Sequence, residues 1–304
     1  MIQLEKLLVP TDFSEASNCA LPHAFEIART FEAGVTMLHV RRPFSGDPTQ
    51  PEYHFFDEGK YEEYVGAELE ESSSRAGSDL AVKTLAKHNI SAASGILEVI
   101  EENNIDLVVM GTHGRSALAN LFLGSVAEKV VRHSPVPVLT VAPNRQGYRN
   151  NPDYRRVLAT FDFSKHSRGA VKGAHQFADK YGAYLQVLYV IEQEVHPGYY
   201  KTWKKAVTQD APAIEAEARE FLIDSLGEDG FTGAELCVEV GAGDGKAYSE
   251  IVRFAEEQEV DLIVMGTHGL SGFQHMLLGS TTERVIRTAP CPVLTFHLRD
   301  AESE

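Results

Sequence analysis

Short apolar runs alternate along the chain with stretches whose apolar residues recur every three or four positions. The first run is Lys6–Pro10, and Ser14 can cap the helix that follows it. The apolar positions of that helix are Ala20, Leu21, Ala24, Phe25 and Ala28. The runs predict strands buried on both faces, and the helical spacing predicts helices between them. This alternation is typical of parallel sheets covered by helices, whose ligands bind beyond the carboxyl ends of the strands.

The first half of the chain contains five predicted strands. They lie at 6–10, 35–40, about 80–85, 107–110 and 136–141, and helices are predicted from Ser14, over about 61–77 and 92–103, and from Ser125. Pro135 and Pro137, at the start of the fifth strand, favour a strand end or an edge position over a central ladder position. Residues 41–59, with several prolines and the aromatic side chains of Tyr53, Phe55 and Phe56, predict a long loop or lid.

The second half repeats the same order of elements. Strands are predicted at 155–160, 184–190, 235–240, 262–265 and 293–296, with a helix ending near Tyr181 and another starting near Lys246. An irregular insert is expected around 192–212, which includes Trp203. The polar residues 144–153 predict a linker between domains at 1–143 and 154–298, and residues 299–304 form a charged tail.

A glycine motif occurs once in each half, directly after the fourth strand. Gly111-Thr-His-Gly114, nine residues and Gly124-Ser125 return as Gly266-Thr-His-Gly269, nine residues and Gly279-Ser280. Residues 106–140 and 261–295 are identical at 20 of 35 positions. The repeat indicates two domains that arose by internal duplication.

The net charge, the N-terminal sequence and the cysteines exclude several classes of function. A net charge of −16 argues against a nucleic-acid partner, which requires clustered Lys and Arg. The N-terminal sequence has no basic and apolar signal-peptide pattern, and no stretch is long and apolar enough to span a bilayer. Cys19, Cys237 and Cys291 lack metal or redox spacing, so buried reduced thiols in a cytoplasmic protein are expected.

The motif has the residues that a phosphate site needs. Glycine lacks Cβ and reaches positive φ, which suits a sharp turn and a close approach of the backbone. Ser125 and Ser280 each begin a Ser-x-x-Glu pattern that predicts a capping box. The free amides and dipole of such a helix N-terminus favour an anion. The alternative is that the serines only cap helices and the glycines only form turns.

Other nucleotide motifs are missing from the sequence. There is no GxxxxGK[ST], so a Walker-type NTPase is not expected. The first strand leads into Pro10-Thr-Asp-Phe-Ser14 and not into GxGxxG, which argues against a dinucleotide site.

With these motifs the chain resembles the universal stress protein family in its tandem form, in which one polypeptide contains two such domains. The resemblance is carried by residues 8–14, 37–40, 106–114, 124–125 and 135–138, and by residues 158–164, 187–190, 261–269, 279–280 and 290–293. The spacing of the glycines and the serine is the pattern of the ATP-binding branch of that family.

The resemblance implies two five-stranded parallel sheets of order 3-2-1-4-5 in a Rossmann-like α/β fold, each binding ATP. Asp12 and Asp162 would lie near adenine and ribose, and Val40 and Val190 would contact adenine. The glycines and serines would hold ribose and phosphates, with a divalent ion such as Mg²⁺ bridging the phosphates. The implied binding residues are Pro10, Thr11, Asp12, Val40, Met110, Gly111, Gly114, Gly124 and Ser125, and Asp162, Val190, Met265, Gly266, Gly269, Gly279 and Ser280.

The two halves depart from the family pattern differently. After the third strand the second half has Gly241, whereas the first half has Ala86. Pro10-Thr11 corresponds to Thr160-Phe161 in the second half. Both halves therefore keep the phosphate element while differing around the base, and unequal nucleotide affinities are expected.

The sequence contains no residue pattern that is typical of a catalytic site. Asp12 and Asp162 have no paired acid or nucleophile, which makes a ligand contact or a structural cap the better interpretation. His113 and His268 have no second His or Cys at ligand spacing in either motif, so no metal site is expected, and a hydrogen bond to loop backbone is the preferred role. Ser125 and Ser280 lack the G-x-S-x-G context of a nucleophile.

Three functional hypotheses remain from the sequence. The leading one is an ATP-binding regulator of the stress response that acts through nucleotide occupancy and not through turnover. The others are a slow ATPase or phosphotransferase, and a scaffold that has lost nucleotide binding. The fifth strands are expected to pair between the domains, between chains in a homodimer, or both.

Overall fold

The structure is a computed structural model. The structure describes residues 4–42, 57–112, 123–143, 147–192, 200–227, 234–240, 246–268 and 278–297, and of residues 200–212, 214 and 240 it describes the backbone alone. The chain forms two compact units, one built mainly from residues 3–120 and 124–143 and the other mainly from residues 144–304.

The first unit is an open parallel sheet covered by helices. Its elements are β1 (Lys6–Pro10), α1 (Glu15–Asn18), α2 (Leu21–Phe31), β2 (Gly34–Arg41), α3 (Glu58–Ser74), β3 (Val82–His88), α4 (Ala92–Asn103), β4 (Leu107–Gly111), α5 (Ser125–His133) and β5 (Val138–Val141). The strand order is β3-β2-β1-β4-β5, and all of the described pairings are parallel. The predicted order 3-2-1-4-5 is confirmed.

The second unit has the same architecture. Its elements are β6 (Arg156–Thr160), α6 (Lys165–Tyr181), β7 (Tyr184–Ile191), α7 (Tyr200–Gly227), β8 (Glu235–Val240), α8 (Ala247–Glu257), β9 (Leu262–Gly266), α9 (Ser280–Thr288) and β10 (Val293–Phe296). Its strand order, β8-β7-β6-β9-β10, is again 3-2-1-4-5 with parallel pairings.

The central strands are apolar because helices cover both faces of each sheet. All five residues of β4 and all five of β9 are buried. The aspartate that precedes each of these strands ties it to the start of the first strand. Asp106 Oδ2 accepts the backbone N–H groups of Glu5 and Lys6, and Asp261 Oδ2 accepts those of Arg155 and Arg156, at 2.8–3.0 Å. The repeated Asp thus helps to set the register of the strands that lead to the site.

The single helix predicted to follow Ser14 is divided into two helices in the structure. It consists of α1 and α2, and Pro22 lies in the first turn of α2. Proline lacks the N–H that would continue α1 and its ring clashes with the preceding turn, so the helix restarts there. Lys172 occupies the equivalent position in the second unit, and α6 runs unbroken over 17 residues.

Two further boundary predictions were wrong. The insert expected around 192–212 is helical from Tyr200 onward, so Trp203 lies within α7. Ala86, expected after the third strand, lies inside β3, which continues to His88 and pairs with β2 as far as Arg41. The aromatic loop residues Tyr53, Phe55 and Phe56 lie outside the described residues.

Burial explains why the three cysteine thiols are expected to be unreactive. Cys291 is buried and Cys19 and Cys237 are half-buried, and each is a free cysteine. Burial raises the pKa of each of the three thiols to about 12, which disfavours the reactive thiolate. Among the helices that the structure describes, none has the length and apolar character required for a membrane crossing.

Candidate functional site

The first strand of each unit ends in the same strained turn. Oδ1 of Asp12 accepts the backbone N–H of Ser14 at 3.1 Å, and Oδ1 of Asp162 accepts that of Ser164 at 3.0 Å. The residue between them is left-handed in both units, with φ of 64° for Phe13 and 66° for Phe163. Bulky residues rarely adopt this conformation, and where it occurs it is often found at functional sites. Both aspartates are therefore held rigidly at the carboxyl edge of the sheet.

The serine after each strained residue caps the first helix. Oγ of Ser14 accepts the N–H of Ser17, and Oγ of Ser164 accepts that of Ser167, each at 3.1 Å. The predicted cap at Ser14 is confirmed by this bond. One carboxylate oxygen of each aspartate is thus engaged in positioning a helix start.

The first glycine of each motif is required by close packing against that helix. A Cβ on Gly111 would lie 2.2 Å from the backbone O of Ala16, and a Cβ on Gly266 would lie 3.0 Å from the backbone C of His166. Neither glycine has a positive φ. The expected need for close approach is therefore correct, whereas positive φ is not the reason for glycine at these two positions.

The later glycine of each motif begins a helix. Gly124 is the N-cap of α5 and Gly279 is the N-cap of α9. The N–H of Gly124 donates to the carbonyl of Thr112 at 2.7 Å, and the N–H of Gly279 donates to that of Thr267 at 2.8 Å. These bonds hold each helix start directly beside the carboxyl end of β4 or β9.

The predicted capping boxes are not formed. Because the glycine is the N-cap, Ser125 and Ser280 are the first helical residues, and neither N-cap has a side-chain hydrogen bond. The glutamates instead pair with arginines one turn later, Glu128 with Arg132 at 2.6 Å and Glu283 with Arg287 at 3.7 Å. The sequence pattern placed the helix start one residue too late.

This error strengthens the anion interpretation of the site. The first intrahelical bonds run from Glu128 to Gly124 and from Glu283 to Gly279. The three amides before each glutamate therefore have no acceptor within the helix. Ser125 and Ser280 are exposed. Each unit thus presents N-terminal amides, a serine hydroxyl and the positive end of a helix dipole at one edge of the sheet.

The surroundings of the first strand's end are polar in the first unit. Buried His39 lies against the ring of Phe13, with ring centroids 4.5 Å apart. Its Nδ1 lies 2.8 Å from the backbone O of Thr11, and its Nε2 lies 3.1 Å from the hydroxyl of Tyr61. The Thr11 hydroxyl lies 3.1 Å from that of Ser17. Thr11 is consequently part of an internal hydrogen-bonded network.

The corresponding region of the second unit is aromatic. The ring of Phe163 lies 4.9 Å from Phe161, 4.9 Å from Tyr189 and 4.7 Å from Phe221. Burial raises the pKa of Tyr189, and the negative charge of Asp162 raises it further. The difference predicted from Pro10-Thr11 against Thr160-Phe161 therefore extends to a whole cluster of side chains.

The side chain of Val40 contacts a helix. A Cβ placed on Gly95 of α4 would lie 2.8 Å from Cγ1 of Val40. Val40 lies one residue before the end of β2, and its side chain is engaged in packing on α4. Val190 is half-buried near the end of β7, and Met110 and Met265 are buried in β4 and β9.

Some predicted site residues lie outside the described residues. These are Gly114, His113, Gly269 and Gly241. His268 is described, and its Nδ1 lies 3.0 Å from the hydroxyl of Thr267. Sequence reasoning also missed His166 and His297, whose rings lie beside that of His268. The only signal for them was that His166 lies in the first turn of the helix after β6 and that His297 directly follows β10.

The fold and the site define the class of the protein. Each unit is a doubly wound α/β domain that presents a helix N-terminus without a side-chain cap at the carboxyl edge of its sheet. The model of the universal stress protein family matches residues 3–142 and again residues 153–297. The chain belongs to the universal stress protein family and carries two tandem copies of its domain.

Known relatives and structures agree with this assignment. The universal stress protein Rv2319c of Mycobacterium tuberculosis is 25% identical over 284 residues, which cover 91% of this chain and 94% of the relative. The universal stress protein MJ0531 of Methanocaldococcus jannaschii is 35% identical over 140 residues, covering 45% of this chain and 81% of the relative. The crystal structure of a universal stress protein from Archaeoglobus fulgidus superimposes with a TM-score of 0.69 at 25% identity and covers 99% of both chains.

Proposed function

We propose that each unit binds ATP at the carboxyl edge of its sheet, and that the protein regulates a stress response through occupancy of these sites. The observation that carries the proposal is a helix start without a side-chain cap in each unit, whose N-cap N–H donates to the carbonyl of the residue after the fourth strand at 2.7–2.8 Å. Unsatisfied amides at a helix N-terminus favour phosphate oxygens. The phosphates of ATP would lie at Gly124-Ser125 and Gly279-Ser280, and Mg²⁺ would bridge them.

The base and the ribose would lie at the ends of the first two strands of each unit. Asp12 and Asp162 are held there by their turns, beside the strained Phe13 and Phe163. The backbone of Val40 and Val190 completes this side of the site. Since these surroundings are polar in the first unit and aromatic in the second, we expect the two ATP affinities to differ.

We propose binding without efficient turnover. The described carboxylates at the first strand's end each use one oxygen to hold the following serine, which suits orientation of a ligand better than proton transfer. The sequence supplies no Walker lysine to stabilise a transferred phosphate.

The test uses variants that keep the helices intact. Ser125→Asp and Ser280→Asp add a negative charge at a helix N-terminus, which favours the helix and repels phosphate. Each is expected to weaken ATP binding at its own site by at least about 10-fold in calorimetric titration of the whole protein. Ser91→Asp is the matched control, because Ser91 is the N-cap of α4 and lies outside the proposed site.

Several outcomes of this test contradict the proposal. If the parent protein binds no ATP, and mass spectrometry finds no nucleotide released on denaturation, the scaffold hypothesis replaces it. If ADP accumulates and the double variant Ser125→Asp/Ser280→Asp abolishes that accumulation, the protein is a slow ATPase. Equal loss of affinity in Ser91→Asp would show that the helix starts are not the binding elements.

We also propose that the fifth strands take part in pairing, within one chain or between two chains of a homodimer. Within the five strands of its own unit, β5 pairs only with β4 and β10 pairs only with β9, so each comes last in the strand order of its unit. The outermost strand of a sheet is usually paired or covered, because an open edge invites aggregation. Light scattering across protein concentrations tests the second arrangement, since a mass that stays that of one chain excludes the homodimer.

A further inference from the structure

Three histidine rings come together in the second unit at its glycine motif. His166 lies in the first turn of α6, His268 follows β9 and His297 follows β10. The ring centroids are 5.2 Å apart for His166 and His268, 5.4 Å for His268 and His297, and 6.3 Å for His166 and His297. All three side chains are half-buried. Three separate elements thus contribute to one cluster.

The motif itself positions these residues. The backbone of His166 packs on Gly266, where an added Cβ would lie 3.0 Å away. The Cα of His268 would lie 3.8 Å from a Cβ on Gly279. The cluster is therefore fixed by the same close contacts that hold the carboxyl ends of the strands.

One buried hydroxyl orients two of the rings. The Oγ1 of Thr267 lies 3.0 Å from Nδ1 of His268 and 3.0 Å from Nδ1 of His297. Thr267 is only 1% exposed, and its backbone N–H is bonded to the carbonyl of Phe296. A hydrogen bond to one ring nitrogen sets the tautomer and direction of an imidazole, as it does for histidines that bind metals through the other nitrogen.

The ring centroids are spaced approximately as in a site with three imidazole ligands, although the rings must still turn to bring three nitrogens within 4.8 Å of one another. With Zn–N bonds of about 2.1 Å, each ring centroid lies about 3.2 Å from the ion, and tetrahedral geometry then separates the centroids by about 5 Å. Two of the observed separations are close to this value, and the third must shrink by about 1 Å. Half-buried imidazoles can make this adjustment by turning about their side-chain torsions.

We propose that His166, His268 and His297 bind one Zn²⁺ ion or a similar first-row transition metal ion through imidazole nitrogens. Imidazole suits Zn²⁺, Ni²⁺ and Cu²⁺ and is a poor ligand for Mg²⁺. Three protein ligands leave a fourth position for water or an anion. The site belongs to the second unit alone, since the positions equivalent to His166 and His297 are Ala16 and Ala142 in the first.

A second group of side chains offers an internal comparison. Among the residues that the structure describes, Glu58, Glu62 and His88 place one ligand atom each within 4.8 Å of one another. All three are exposed, and exposed acidic groups are common without a metal. This cluster lies in the first unit and supplies a matched control for the histidine cluster.

The experiment is a calorimetric titration of the whole protein with Zn²⁺, without nucleotide, so that its result is independent of the proposed ATP sites. We expect one tight ion per chain. His166→Gln and His297→Gln should each weaken that affinity by about 100-fold or more, and Thr267→Val by about 10- to 100-fold. His88→Gln should leave it unchanged. Unaltered hydrogen exchange in β6 and β9 confirms that the variants are folded.

Cobalt provides an independent readout. Co²⁺ in a tetrahedral nitrogen site gives intense visible absorption, which should appear in the parent and in His88→Gln but not in His166→Gln. The proposal is overturned if the parent binds no tight Zn²⁺. It is equally overturned if His88→Gln removes the tight ion while His166→Gln and His297→Gln retain it.

Discussion

The two units present the same glycine motif but support it differently at the end of the first strand. In the first unit, Phe13 stacks on a buried histidine whose two nitrogens have hydrogen-bond partners. In the second unit, Phe163 lies among three aromatic rings. A hydrogen-bonded cluster has thus been exchanged for an apolar one at equivalent positions of the same fold.

Comparing the two units distinguishes residues that are repeated because the fold needs them from residues that are repeated because a ligand would bind there. Gly111 and Gly266 are needed because the first helix of each unit passes over the end of the fourth strand. By contrast, the serine that follows the glycine at each helix start is exposed in both units, so close packing does not explain why it is a serine. The serine positions therefore test binding, whereas the first glycines test the fold.

The largest expected effect concerns the first glycine of each motif. Gly111→Ala would place a Cβ 2.2 Å from the backbone O of Ala16, and only a backbone shift relieves this contact. We expect a loss of about 3 kcal/mol, at the upper end of the usual cost of overpacking. Gly266→Ala meets its nearest atoms at 3.0 Å and should cost about 1 kcal/mol or less, since alanine also restricts the unfolded chain.

Hydrogen exchange measures this difference unit by unit. Peptides from β1 and β4 report on Gly111→Ala, and peptides from β6 and β9 report on Gly266→Ala. Equal losses of protection in the two variants would mean that the closer contact of the first unit does not constrain its helix.

A smaller effect is expected from the residue that faces the strained phenylalanine. His39→Phe keeps a ring against Phe13 but removes the hydrogen-bond partners of the Thr11 carbonyl and the Tyr61 hydroxyl. We expect the free energy of unfolding to fall by about 2 kcal/mol, because buried polar groups that lose a partner cost about 1–3 kcal/mol. Tyr189→Phe keeps the aromatic cluster of the second unit and should cost less than about 1 kcal/mol.

The free energies of unfolding of these two variants are compared by urea unfolding, with hydrogen exchange of peptides from β2 and β7 as the readout for each unit. A cost for Tyr189→Phe that equals or exceeds the cost for His39→Phe would show that the polar and the apolar clusters do not differ in their dependence on hydrogen bonds.

The fold was predictable where local signals agreed. The bounds of α4, β8 and β10 match the prediction to the residue, because their apolar patterns are bounded by turns. β3 begins two residues later than expected and runs three residues further, to His88. It is the outermost strand of its sheet and has no fully buried residue, so its hydrophobic pattern is weak.

The candidate site was predictable in position but not in detail. The spacing of the motif located the helix starts, yet Ser-x-x-Glu suggested a capping box that the structure lacks, since glycine itself is the N-cap. The histidine cluster could not be predicted from spacing. His166 and His297 lie 102 and 29 residues from His268 in the sequence, and only the parallel order of the strands brings them to one edge.

The smallest expected effect is the contribution of Tyr189 to the alkaline pH dependence of the second unit. The pKa of Tyr189 is raised above its ordinary value by burial and by the charge of Asp162. Between the unfolded pKa of about 10 and this raised value, the unfolded chain releases a proton that the folded chain retains, so the stability of the unit falls as the pH rises. Tyr189→Phe should flatten the alkaline decline in protection of β7. Tyr184→Phe serves as the comparison, because the pKa of that exposed tyrosine is raised first by its hydrogen bond to Glu235 and not by Asp162. An unchanged slope in Tyr189→Phe would mean that burial and the charge of Asp162 together do not raise the pKa of Tyr189 in the folded unit.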